Sequence, residues 1–102
     1  MIKVTFMNGP RDGEEIVVRG PLVRIGHAEG NDIRIDYDPF VSRFHAELAH
    51  EPQGWCVTDK QSRNGVYQGS VRVRDKAKLE SDELLRIGNT WLEVAVAAEN
   101  EH

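Results

Sequence analysis

VSRFHAEL, residues 41–48, followed after a strand-like run by DKQSRNGVYQG, residues 59–69, decides how this chain is read. The two stretches put Ser, Arg, Asn and Gly at two separate turns, and such groups hold a phosphate without a metal or a helix N-terminus. Upstream, RIGHAEGNDIRI at residues 24–35 makes a third polar turn between two strand-like runs. Three polar turns, each introduced by alternating hydrophobic residues, predict loops gathered at one end of a β-sandwich and converging on a ligand.

The alternation extends along the chain. Ile2, Val4 and Phe6 follow the two-residue period of half-buried strands, as do Ile33 with Ile35, Trp55 with Val57, and Leu92 with Val94 and Val96. Turn signals separate these runs at Asn8-Gly9-Pro10, Asp12-Gly13, Gly20-Pro21, Gly30-Asn31, Pro52-Gln53-Gly54, Asn64-Gly65, Gln68-Gly69 and Gly88-Asn89, a spacing that fits an all-β sandwich. DKAKLESDELLR, residues 75–86, has a helix-favouring composition, but Ala77, Leu79, Leu84 and Leu85 make no sustained helical stripe.

A chain of 102 residues with 39% hydrophobic content can bury one core, so a single domain over residues 1–96 is expected, with a flexible tail at 97–102. No apolar run approaches the roughly 20 residues of a membrane span, and the N-terminal MIKVTFMNG lacks a signal-peptide core. A soluble, cytoplasmic protein is the expectation. The one cysteine, Cys56, has no internal disulfide partner, and its place in WCVTD predicts a packed strand position.

A net charge of -4 argues against a general nucleic-acid binder, which needs a basic face to neutralise several phosphates. It also leaves any anion affinity to a few local donors among Arg24, Arg34, Arg43, Arg63, Arg72 and Arg74. For Arg34, Arg72 and Arg74 the expected state is a solvated strand residue. No cysteine or histidine set has metal-ligand spacing, and Asp32, Asp36 and Asp38 lack the loop glycine and distal glutamate of an EF-hand. No metal or other cofactor is expected.

Gly26, Asn31-Asp32-Ile33, Val41-Ser42-Arg43, His45-Ala46, Asp59, Ser62, Asn64-Gly65, Gly69 and Ile87-Gly88 occur in an order and with gaps that resemble the forkhead-associated (FHA) domain. The resemblance runs from about Leu22 to Val94. That family recognises phosphothreonine in partner proteins, which implies a two-sheet antiparallel β-sandwich with its binding loops at one end and no catalysis. It also implies a loop and then a strand over residues 75–86, ending in RIGNTWLEV. Gly26, His45 and Gly65 fall at structural motif positions.

The residues of the expected phosphopeptide site are His27, Ser42, Arg43, Arg63 and Asn64. A serine hydroxyl at a loop tip either caps its own turn or donates to a phosphate oxygen, and the Arg43 guanidinium beside Ser42 favours the second. His45, three residues on, could be read as a base for that serine, but no nucleophile elbow or oxyanion motif accompanies it; the family's Ser-x-x-His element makes it a brace. By resemblance Asn64 bonds the peptide backbone beside the phosphothreonine. Arg63 stands where many relatives have a hydroxyl residue, Val66 where threonine is usual, and Gln68, a possible peptide contact, where a second asparagine is usual.

His27 stands where many relatives have the arginine that makes a principal phosphate contact. Either its imidazolium binds the phosphate, or the main anchor is gone and the domain binds something else. The first reading gives a phosphothreonine-dependent interaction module in Ser/Thr kinase signalling, whose partner is a protein or a segment of a longer parent chain. The alternative is a phosphate-independent interaction or dimerisation domain on the same fold, with a small hydrolase as a third class. Neither nucleic acid nor membrane is an expected partner.

Overall fold

The computed structural model describes residues 1–80 and 82–96, so the expected flexible tail at 97–102 lies outside the described residues. Eleven strands make up nearly all of the regular structure: β1 Ile2–Phe6, β2 Glu15–Val18, β3 Leu22–Gly26, β4 Ile33–Arg34, β5 Ala46–Glu51, β6 Gly54–Asp59, β7 Val66–Gln68, β8 Val71–Arg72, β9 Lys76–Lys78, β10 Glu83–Ile87 and β11 Thr90–Val96. A 3-10 turn, Gly9–Arg11, joins β1 to β2. Among the described residues no helix is long and apolar enough to cross a membrane.

The strands form two sheets, ordered β2-β1-β11-β10-β7-β8 and β4-β3-β5-β6-β9. The alternation read from the sequence puts one face of each sheet into a shared core. Ile2, Val4 and Phe6 pair with Val96, Val94 and Leu92, and all but the partly buried Val96 are fully buried. Leu85 and Ile87 of β10 extend that layer. Val23, Ile25, Ala46, Leu48 and Val57 supply the facing one. Each fully buried large aliphatic side chain stabilises the fold by roughly 1.5–3 kcal/mol before entropy is counted. Cys56 is buried in β6, as its strand position predicts.

Two details depart from the expected layout, one in pairing direction and one in an added strand. β4 pairs parallel to β3, through Ile25 with Ile33 and Gly26 with Arg34. The Asn31 side-chain amide donates to the carbonyls of Ala28 at 2.8 Å and Arg43 at 2.9 Å, folding residues 27–32 into a tight loop held against the segment before β5. The strand that leaves this loop runs beside β3 in the same sense. Within residues 75–86, where a loop followed by a strand was expected, the loop itself contains β9, paired with Thr58, Val57 and Cys56 of β6. Leu79 is buried just beyond it, and Lys76 Nζ clasps Glu51 at 2.7 Å, tying the strand to the end of β5.

Candidate phosphopeptide site

The end of β3 lies beside the start of β5, and the loops after β3, before β5 and between β6 and β7 meet there. Gly26 closes β3 against the Arg43 backbone. A Cβ at this position would lie 2.2 Å from the Arg43 carbonyl oxygen and 2.9 Å from Asn31 Nδ2. No side chain fits, so the glycine is required by close approach. His27 N–H donates to the Ser42 carbonyl at 2.9 Å and Ala28 N–H to the Arg43 carbonyl at 3.1 Å, which fixes residues 27–28 against residues 42–43. The His27 carbonyl accepts from Arg34 Nε at 3.0 Å, so Arg34 is engaged in the loop as well as exposed.

His45 braces the other side. It is fully buried, and its Nδ1 accepts the Ser42 N–H at 3.0 Å. The ring must then carry its proton on Nε2, which lies 2.8 Å from the Gly65 carbonyl oxygen and donates to it. Burial pushes the pKa of this imidazole below its ordinary value, against the opposing pull of the Gly65 carbonyl, Asp59 and Asp38. One neutral ring thus joins the Ser42 loop to the Asn64-Gly65 turn. Since both nitrogens are taken by backbone, neither is placed to act as a base on the Ser42 hydroxyl.

The Ser42 Oγ accepts the Arg63 N–H at 3.1 Å, which leaves its own proton to donate outward. Asn64 Nδ2 donates to the Phe40 carbonyl at 2.9 Å, leaving the amide oxygen and a second N–H for a ligand backbone. The Asp59–Gly65 loop is stiffened from within, by Ser62 N–H to Asp59 Oδ1 and Gly65 N–H to Ser62 Oγ, both at 2.9 Å. Gly65 has φ of +86°, a conformation that glycine adopts without strain.

These contacts frame a shallow depression of about 370 Å³ lined by His27, Pro39, Phe40, Val41, Ser42, Arg43, Arg63 and Asn64. All five residues expected at the site from sequence are among them. Among the described residues no carboxylate is, although acidic residues outnumber Lys and Arg 17 to 13 in the chain. A second depression, lined by His27, Ala28, Glu29, Arg43 and Phe44, lies across the His27 and Arg43 side chains. Gln68 sits apart: it is part of β7, and its amide donates to the Lys78 carbonyl at 3.0 Å. Among the described residues no three His, Cys, Asp or Glu side chains gather as metal ligands.

Pro39 and Phe40 form a wall of the depression that the sequence reading missed, and Asp38 holds that wall in place. Its buried carboxylate accepts from Phe40 N–H at 2.9 Å, Asn89 N–H at 2.8 Å and Thr90 Oγ1 at 2.7 Å. A buried carboxylate without a cation is held by such charge-assisted bonds. The nearest sequence signal was Asp-Pro, which marks a turn and nothing more.

Comparison with solved structures finds the same architecture. The FHA domain of an Arabidopsis thaliana hypothetical protein superposes with a TM-score of 0.85 at 24% identity, covering 99% of this chain and 89% of that one. The first FHA domain of Mycobacterium tuberculosis Rv1747 gives 0.77 at 26%, covering 95% and 96%. Mycobacterium tuberculosis EmbR, solved in complex with a low-affinity phosphopeptide, gives 0.84 at 24%, covering 99% of this chain and 26% of that one. No curated protein matches the chain. The family model described as "FHA domain" matches residues 23–88, more than half of the chain and the span that carries all three loops. With the family match and the fold in agreement, the chain belongs to the FHA domain family.

Proposed function

We propose that this chain is a phosphothreonine-dependent protein-interaction module that performs no chemistry. The observation that carries the reading is a depression lined by Ser42, Arg43, Arg63, His27 and Asn64 with no carboxylate among the described residues. A phosphate brings about -1.5 to -2 charges and three acceptor oxygens, which these donors match. Arg43 and Arg63 supply charge where His27 replaces the usual arginine. Similar solved structures include one from a structural and functional analysis of phosphothreonine-dependent FHA domain interactions, and the FhaA FHA domain complexed with the intracellular domain of Rv3910. The partner is then a substrate of a Ser/Thr kinase, and a cytoplasmic setting suits that partner. Residues 1–96 act as the single binding domain.

Calorimetry with matched peptides tests this. Phosphothreonine peptides should bind, their phosphoserine twins more weakly, and unmodified ones not detectably. Arg43→Ala should cost about 1.5–3 kcal/mol of affinity, the worth of a charge-assisted bond. Equal binding of phosphorylated and unmodified peptides would replace this reading with the phosphate-independent interaction domain.

A further inference from the structure

Outside the site, the outer face of the first sheet carries a row that neither core packing nor phosphate binding explains. Trp91 of β11 lies opposite Arg86 of β10, Arg86 opposite Tyr67 of β7, and Tyr67 opposite Arg72 of β8. The strand neighbours Leu92, Leu85, Ile87 and Val66 are fully buried, so Trp91, Arg86 and Tyr67 face away from the core, and Arg72 is exposed at the end of the row. The Arg86 guanidinium sits 4.4 Å over the Tyr67 ring and 5.9 Å from the centre of the Trp91 ring. Rings that hold a guanidinium by its face leave N–H edges for a planar anion, and fixing it beforehand lowers the entropy cost of binding one.

The row adjoins the phosphate depression. Gly65 is two residues before Tyr67, in the turn that leads into β7. Arg72 lies on Gly65, with Nε 2.8 Å and Cζ 3.0 Å from where a Cβ would stand. The Arg72 guanidinium therefore borders the Asn64-Gly65 turn. Among the described residues Arg72 has no acidic partner, and Arg86 donates only to the Gly88 carbonyl, at 3.2 Å. Acidic groups begin in the next row, where Leu84, Glu93, Thr5 and Glu15 lie opposite one another in turn. The row continuous with the site thus carries Arg72 and Arg86 without a carboxylate among the described residues, whereas Lys3, on the outer face of β1, lies 3.8 Å from Glu15. From Asn64 to Tyr67 the chain advances about 10 Å, a distance that an extended peptide covers in roughly three residues.

We propose that the row Arg72, Tyr67, Arg86 and Trp91 is a second contact for the phosphorylated partner, taking a carboxylate or phosphoryl side chain a few residues from the phosphothreonine. It rests on the phosphothreonine reading above and extends the bound segment over the Asn64-Gly65 turn onto the sheet. The anion is the shared chemistry; its source is either a glutamate or a second phosphorylated residue.

The test uses a short phosphothreonine peptide with alanine flanks, and longer ones whose added residues on either side are alanine, glutamate or phosphoserine. Glutamate or phosphoserine extensions should bind about three- to tenfold more tightly than the alanine extension, the scale of one or two partly exposed charge pairs. Gain with phosphoserine alone assigns the row to a second phosphate, and gain with both to any anion. Arg86→Gln should abolish the gain and Arg86→Lys restore part of it, while both bind the short peptide as the unaltered protein does. On the unaltered protein, the fluorescence of the partly exposed Trp91 should respond to acidic extensions and not to the short peptide, with Trp91→Phe removing the response. No gain from acidic extension, or a gain that survives Arg86→Gln, overturns the proposal and leaves phosphothreonine binding standing. Failure of the short peptide to bind overturns the phosphothreonine reading, and this one with it.

Discussion

Because both nitrogens of His45 are committed to backbone groups, the protonation of this one ring controls the geometry of two loops. Burial lowers its pKa in the folded protein below the ordinary 6.5, which the unfolded chain retains. Between those two values the unfolded chain holds more protons than the folded one, so stability rises with pH there. The contribution is fully present above the unfolded value and is lost as pH falls through 6.5 towards the folded value. Urea denaturation at a series of pH values should show that loss, and His45→Ala should be less stable by about 2–4 kcal/mol at neutral pH while losing that part of the slope. An unchanged slope in the variant would move the pH dependence to another group. In the sequence, the Ser-x-x-His spacing pointed to this residue and the family resemblance to its bracing role. Its tautomer was not legible, since that depends on a carbonyl 20 residues away.

Strands, as elements, were largely legible where one face is buried, because a two-residue period records which face that is. Pairing direction was not. The parallel β4 follows a loop that the amide of Asn31 ties to a carbonyl 12 residues on, and β9 takes an edge that β6 leaves open; neither leaves a periodic trace. The loop of residues 38–40 was illegible for the same reason, as two of the three donors to Asp38 come from positions 51 and 52 residues away. Asp38 was weighed as a calcium ligand, whereas its carboxylate joins the Pro39-Phe40 wall to the turn before β11. Asp38→Asn keeps the size but presents an N–H to groups that are themselves donors. It should cost about 1–3 kcal/mol of stability in urea denaturation, and the folded fraction should bind phosphopeptide more weakly in calorimetry. Full affinity in the folded variant would mean that the wall needs no such anchor.

Across the whole molecule, charge is divided in a way that composition hides. The net charge of -4 predicts no attraction for an anion, yet among the described residues no carboxylate lines the phosphate depression, and Arg43, Arg63 and His27 border it. Glu29 enters only at the adjoining depression. A phosphorylated peptide approaching from beyond a Debye length, about 8–10 Å at physiological salt, meets a protein of its own sign, and meets the arginines only on contact. Long-range steering is therefore absent and short-range pairing is present, which separates the two rate constants. In stopped-flow measurements the association rate should stay near the unsteered range of about 10⁵–10⁶ M⁻¹ s⁻¹ at low ionic strength, and should hold or rise as salt is added. Dissociation should quicken over the same range, because salt competes for partly exposed guanidinium contacts. An association rate that falls steeply with salt would show that the basic groups project a field well beyond the depression, and that the acidic remainder of the surface does not mask it.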